Sequence, residues 1–306
     1  MTVRLAHVAV HIALVLALPP LLLGVINRTK AVFAGRVGPP LLQPYYDLAK
    51  LLRKGTVLSR TTTWVFLAGP VVSLVATLLA ALLVPLGGHP APIAFDGDFV
   101  LFAYVLALGR FFTVAAALDT GSAFEGMGGA REVTFSCLAE PAIFFGVLVL
   151  ARASGSYSLS GMLGPAVAAT WSTAAAALAA VLASWFVVLL AENSRIPFDD
   201  PNTHLELTMI HEVMVLDHGG PPFALILYGA AMKLFVFGAL VLGVAAPFGG
   251  LDPWLAWGAF VAASLVLAFA VGVVESAMAR LRLPQVPNLL VAACLISAFG
   301  AVLLVR

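Results

Sequence analysis

Glu192-Asn193-Ser194-Arg195-Ile196-Pro197-Phe198-Asp199-Asp200-Pro201-Asn202-Thr203-His204-Leu205-Glu206-Leu207 is a polar stretch set between two long apolar runs. Followed to Glu212, it holds five of the chain's 15 acidic residues, so it is more than a connector. The apolar runs on either side are long enough, at roughly 20 residues, to cross a bilayer as helices. The stretch is therefore a loop at a membrane face. Composition agrees: 62% of residues are hydrophobic and 10% charged, against about 25% charged in a soluble domain. The runs are too long, and too continuously apolar, for the alternating strands of a membrane barrel.

Working outward from that loop gives about eight spans: Leu5–Ile26, Trp64–Pro85, Phe99–Leu118, Val133–Ala151, Ala166–Ala191, Phe223–Ala246, Trp254–Val274 and Pro287–Val305. The fold class is all-α: a polytopic transmembrane helical bundle with short amphipathic interfacial helices. The first run lacks a small-residue cleavage site and reads as a retained span rather than a signal peptide. No internal repeat is visible, which argues against a repeat-built transporter. One integral membrane domain, 1–306, is expected, with a cytoplasmic loop at 27–63 and the acidic cytoplasmic loop at 192–222.

Basic residues set the orientation. Arg28, Lys30, Arg36, Lys50, Arg53, Lys54 and Arg60 lie in the first loop, Arg131 in the third, Arg195 in the fifth, Arg280 and Arg282 in the seventh. The even loops and the termini hold only Arg4, Arg152 and Arg306. This bias puts the odd loops in the cytoplasm and both termini outside. A net charge of +1 gives no ground for a nucleic-acid partner, and none is expected.

Within loop one, Leu41, Tyr45, Leu48, Ala49 and Leu52 recur at helical spacing, with Gln43, Asp47, Lys50 and Lys54 opposite. This predicts a short amphipathic helix facing headgroups or a partner. In the acidic loop, Asp199 or Asp200 is placed to cap a helix opened by Pro201 and running to about Leu216, before Gly219-Gly220-Pro221-Pro222. Glu206 and Asp217 would then share a face, with Glu212 on another. A solvated surface helix is the plain alternative.

Arg110, Glu140, Lys233 and Glu275 fall within or at the edge of spans, where a charge costs about 2.5–3.5 kcal/mol on insertion scales. Such residues face the bundle interior, pair, or line a water path. Glu140 is either a buried carboxyl that exchanges protons or a structural partner of Arg110 or Lys233. Other signals are weak. Gly121-Ser122-Ala123-Phe124-Glu125-Gly126 starts like a phosphate loop, but Met127-Gly128 replaces the required Lys-Ser/Thr and no strand precedes it. His7 and His11 lie one turn apart, and two ligands make no metal site. Cys137 and Cys294 sit in different runs, and no redox-cofactor motif appears.

Four ordered motifs resemble the H-type membrane subunit of respiratory complex I. The first is Arg195-x-Pro197-Phe198-Asp199-x-Pro201 followed by Glu206-Leu207. The second is Arg36-Val37-Gly38-Pro39 with Leu41-Leu42-Gln43-Pro44, Asp47 and Lys50-Leu51-Leu52. The third is the spacing of Arg131 and Glu140, and the fourth is Ala279-Arg280-Leu281-Arg282. Asn202 and His204 replace that family's paired glutamates. The run Thr208 to His218, and Asp119-Thr120-Gly121-Ser122 with Phe124, are similar instead to the corresponding subunit of energy-converting nickel–iron hydrogenases and formate hydrogenlyase-like complexes.

The resemblance implies a membrane anchor that binds no cofactor itself. Iron–sulfur clusters and, in the hydrogenase branch, a nickel–iron centre would lie in partner subunits. It implies docking of a hydrogenase-like large subunit and an iron–sulfur small subunit on Arg36, Asp47, Lys50, Glu192, Arg195, Asp199, Asp200, His204, His211, Arg280 and Arg282. Antiporter-like membrane subunits would continue the bundle. A coupling path would use Glu140, Arg131, Arg110, Lys233, Glu275, Glu206, Glu212 and Asp217. A quinone-chamber subunit of a respiratory complex I and an independent secondary transporter are the alternatives.

Overall fold

A computed structural model describes residues 2–199, 210–246 and 248–304. Among them the chain is a helical bundle without sheet. Its helices are α1 (Thr2–Phe33), α2 (Gln43–Leu52), α3 (Trp64–Leu83), α4 (Asp98–Asp119), α5 (Ala123–Ser154), α6 (Leu159–Met162), α7 (Ala166–Glu192), α8 (Gly220–Ala245), α9 (Pro253–Ala277) and α10 (Val286–Leu303). Eight of these, all but α2 and α6, are long and apolar enough to cross a membrane. They match the eight expected spans in order. The ends that carry the acidic loop form one face; the opposite face holds the α3–α4 connection and α6.

The central helix is α8, which is buried along most of its length and packs against α1, α2, α3, α7 and α9. On one flank α10 fills the angle between α5 and α7. With no water in the membrane, small hydroxyls bond backbone carbonyls across helix pairs. Ser184 Oγ donates to the Ala293 carbonyl at 2.8 Å, and Ser297 Oγ to that of Ala142 at 3.0 Å. Pro19 and Pro20 sit inside α1. Pro20 has no N–H for the Leu16 carbonyl four residues back. The Tyr228 hydroxyl of α8 donates to that carbonyl at 2.8 Å, which lets α1 continue through the prolines.

Two boundaries differ from the sequence reading. Helix α5 begins at Ala123, not Val133, so Gly126, Gly128, Gly129 and Arg131 lie inside a helix rather than in a glycine-rich turn. Its 32 residues make about 48 Å, so the charged first turns extend beyond the apolar window. Similarly, α1 carries Arg28 and Lys30 within it. Helix α7 is interrupted at Ala174, whose backbone leaves the helical region.

Loop one contains the expected short helix, with a different inward face. Gln43, Pro44, Tyr45, Leu48 and Leu51 are half-buried, whereas Leu41, Ala49 and Leu52 are exposed. The cause is its entry. The Leu41 carbonyl lies where a Cβ on Gly24 of α1 would stand, so α2 comes closer to α1 than any other residue would allow. The Tyr45 hydroxyl then donates to the Ala17 carbonyl of α1. On the opposite face His7, His89, Trp254 and Trp257 form an aromatic clamp. His89 stacks on both His7 and Trp257 at 4.4 Å, and Trp257 Nε1 donates to His7 Nδ1 at 3.0 Å. His7 thus joins α1 to α9.

Candidate functional site: an ion chain beneath the acidic loop

Arg110 is the hub of the interior. It lies mid-way along α4, and its guanidinium reaches three carboxylates on two other helices. Its Nη1 is 2.7 Å from Glu140 Oε1, and its Nη2 is 2.9 and 2.7 Å from the two oxygens of Glu192. Its Nε is 3.9 Å from Glu132. Lys233 of α8 completes the chain, with Nζ 2.8 Å from Glu192 Oε2. Glu140, Arg110, Glu192 and Lys233 therefore form one connected line through α5, α4, α7 and α8. The planar fork of Arg suits it to bridging two carboxylates. Removing one partner from a buried pair costs about 3–5 kcal/mol, because it strands the other charge.

This chain revises the position of Glu192, which the sequence assigns to the docking edge. Its side chain is 1% exposed and turned inward, since it is the last residue of α7 and the loop begins just after it. Glu132 joins the site without a motif of its own. Its spacing from Glu140, about two turns along one helix, is the signal that points to it.

A second cluster closes the acidic-loop face. Glu275 of α9 is fully buried between Lys30 Nζ at 2.8 Å and Arg195 Nη1 at 3.3 Å. Asp199 is also buried. Its Oδ1 accepts from Arg280 Nη2 at 2.9 Å, and its Oδ2 from the amides of Ile210 and His211 at 3.0 and 3.2 Å. The Leu281 amide donates to the Pro197 carbonyl at 2.9 Å, across a segment that contains a cis Ile196–Pro197 bond. Arg195, Asp199 and Arg280 are thus used inside the chain, locking the α7–α8 and α9–α10 connections together. Arg36, Asp47, Lys50 and Arg282 are exposed or half-exposed. Asp200, His204 and Glu206 lie outside the described residues.

The acidic loop returns along α5. The sequence predicts a helix to about Leu216, but the described part is a 3-10 turn, Glu212–Val215. The expected start of that helix at Pro201 lies outside the described residues; Asp199 binds the amides where the described chain resumes. A Cβ on Gly128 would meet Val213 Cγ1 at 2.3 Å and the Ile210 carbonyl at 2.9 Å, so this turn sits directly on the helix. Glu125, which in sequence belongs only to the incomplete phosphate-loop pattern, is fully buried and accepts from the Asp217 amide at 3.1 Å. Asp217 itself is exposed. His218 stacks on Phe66 at 3.9 Å, and burial pushes its pKa down to about 4, partly opposed by neighbouring Asp217. Helix α5 consequently carries both the seat of the loop and two carboxylates of the ion chain. Arg131 shares that helix; its Nη2 lies 2.9 Å from Met127 Sδ.

Three cavities follow the same route. One of about 260 Å³ opens beneath the loop between α1, α2 and α8, with Asp47, Arg195, His211 and Glu212 in its wall. A second, about 70 Å³, shares Asn193, Ser194 and His211 with it and reaches Arg110, Glu192 and Lys233. The third, about 310 Å³ and largely apolar, shares Arg110 with the second and includes Glu140. Among the described residues no three His, Cys, Asp or Glu side chains gather into a set that could hold a metal ion.

Comparison with known proteins matches this architecture. Residues 5–306 fit the family model described as NADH dehydrogenase. The chain is 31% identical over 284 residues to formate hydrogenlyase subunit 4 of Escherichia coli, covering 90% of this chain and 91% of that protein. It is 33% identical over 236 residues to hydrogenase-4 component C of the same organism, covering 77% and 73%. The H-type subunit of NADH-quinone oxidoreductase from Syntrophotalea carbinolica is 28% identical over 259 residues, covering 80% and 76%. A chain of the archaeal membrane-bound sulfane sulfur reductase has the same fold, with a TM-score of 0.82 at 21% identity over 96% of both chains.

Proposed function

The chain belongs to the NADH dehydrogenase family, and from that premise we propose that it is the anchor and coupling subunit of a hydrogenase-type, complex I-like membrane assembly. Relatives named as hydrogenase and formate hydrogenlyase subunits support the branch. In this reading the odd loops face the cytoplasm. The exposed Arg36, Lys50 and Arg282 contribute to docking a hydrogenase-like large subunit and an iron–sulfur small subunit. Those partners hold the iron–sulfur clusters and the nickel–iron centre. Antiporter-like subunits extend the bundle sideways.

The observation that carries the coupling role is the ion chain from Lys233 through Glu192 and Arg110 to Glu140. Its physical logic is mechanical first and electrostatic second. Glu192 ends α7, and the next residues, Asn193 to Arg195, begin the loop. A rearrangement of the loop under a docked redox module pulls Glu192 against Arg110. If Arg110 follows Glu192, Glu140 loses the cation it is paired with in an apolar setting. Such a carboxylate takes up a proton. When Arg110 returns, the proton leaves. No electron carrier on this chain is needed.

Glu140→Gln keeps the size and removes the titration. In sealed vesicles bearing the whole complex, the expected result is assembly with ion uptake per turnover reduced at least about tenfold, equivalent to about 1.4 kcal/mol. Wild-type turnover and uptake together would reduce Glu140 to a structural partner.

A second reading has one observation in its favour. The cavity of about 260 Å³ beneath the loop is large enough for a quinone ring, as a quinone-chamber role requires. A photoreactive quinone that labels the wall at His211 would favour it.

A further inference from the structure

The apolar cavity of about 310 Å³ is not enclosed by the described residues of this chain. It is a cleft between α4, α5 and α7 that opens sideways, in the plane of the membrane, with Phe99, Tyr104, Phe144 and Trp185 among its walls. At its polar end sits the Arg110–Glu140 pair. The Glu140 side chain is 43% exposed, whereas its counterpart Glu192 is 1% exposed.

The charges beside this cleft do not balance locally: Arg110 and Lys233 face three carboxylates, Glu132, Glu140 and Glu192. Arg110 divides one positive charge between Glu140 and both oxygens of Glu192, while Glu192 has Lys233 as well. Arg131 lies nine residues from Glu140 on the same helix, about 13 Å towards the loop. Glu140 is thus left with a fraction of one cation on an otherwise apolar lateral face. The Trp185 indole N–H is also buried in the cleft wall with no acceptor among the described residues.

Depth narrows the occupant. Glu140 stands seven residues beyond Val133, where the apolar part of α5 begins, so about 10 Å of helix separates it from the loop-side edge of the membrane. With a hydrocarbon core of about 30 Å, that position lies inside the core, about a third of the way across. Lipid headgroups do not reach it, and acyl chains cannot compensate a carboxylate. A quinone head offers acceptors, not a cation. A side chain from another membrane-embedded protein can meet the need. Resting on the reading above that this chain sits among other membrane subunits, we propose that the cleft seats a transmembrane helix of a neighbouring subunit, and that this helix presents a lysine or arginine to Glu140.

The test uses the complete complex in its native membrane. A benzophenone amino acid replaces Phe144, which lines the cleft and is 45% exposed. After illumination, the adduct is identified by mass spectrometry. The expected product is a peptide from a transmembrane segment with a basic residue within about one turn of the attachment point. Glu140→Lys should then lower the crosslink yield at least tenfold, and the reciprocal change of the partner's base to glutamate should restore it. A lipid-only adduct, a peptide with no nearby base, or a charge swap that restores nothing overturns the inference. Its failure is separable from that of the coupling reading. A lipid-only adduct alongside uncoupling in Glu140→Gln ends the docking inference alone. A basic partner helix alongside wild-type uptake in that variant ends the coupling reading alone.

Discussion

Two ion-pair clusters among the described residues of this bundle are built differently. Around Glu275 the carboxylate is fully buried and held by two cations from two other segments, Lys30 and Arg195. Around Arg110 the ratio is reversed: two cations, Arg110 and Lys233, serve three carboxylates, Glu132, Glu140 and Glu192, with Arg110 shared among all three and Glu140 half-open to the side. A sealed, over-neutralised carboxylate has one stable arrangement. A shared cation has more than one, because losing either partner leaves a second within reach. The first cluster is suited to holding a loop, and the second to changing state when the loop moves.

The comparison breaks if the two carboxylates respond alike to removal. Glu275→Ala leaves two partly buried cations facing each other and is expected to destabilise the subunit by about 3–5 kcal/mol. Glu140→Ala removes a half-exposed carboxylate while Arg110 keeps Glu192, so no cation is stranded and the loss is that of a charged hydrogen bond, about 1.5–3 kcal/mol. Thermal unfolding of the purified complex in mild detergent, followed by protection of the subunit from protease, measures both. Equal losses would make the two clusters equivalent.

The link between the clusters can be sharpened at Gly128. A Cβ there would stand 2.3 Å from Val213 Cγ1 and 2.9 Å from the Ile210 carbonyl. Gly128→Ala should lift the loop from α5 at a cost of about 2 kcal/mol. Limited proteolysis should then cut between Asp199 and Gly219 faster, while the Arg110 chain stays intact. Unchanged cutting would show that α5 does not seat the loop.

The smallest effect concerns pH. His218, at the end of the loop, is held well below the ordinary histidine range, at about 4. The unfolded state therefore binds the proton first, so stability falls as pH drops from about 6.5 towards 4 and is flat above that window. The loss attributable to His218 is on the order of 1 kcal/mol at pH 5.5. His218→Phe should flatten that part of the protease-resistance profile while preserving the stack on Phe66. A slope unchanged by the substitution would move the titration to another group.

The family, the eight spans and their order are legible because apolar run length and loop punctuation are local properties. Glu140 and Lys233 stand out because ionisable groups inside apolar runs are rare. Other residues mislead for identifiable reasons. Arg131 and Glu132 look like loop residues, since charge usually ends a span, yet α5 continues well past the apolar window. Glu192 looks like a surface acid because it borders a polar stretch. Asp199 is read from sequence only as a candidate helix cap, and nothing local in it announces the bonds to Ile210, His211 and Arg280.

The sequence by itself determined that this is a multi-pass helical membrane protein of a known family, because hydrophobic length must match bilayer thickness and the family motifs are contiguous. The tertiary structure alone decided which charges meet. Lys30 and Glu275 are 245 positions apart, and Arg110 and Glu192 are 82 apart. No local pattern encodes such pairs. They form because a charge within a low-dielectric bundle must find an opposite one, and helix packing determines which one is within reach.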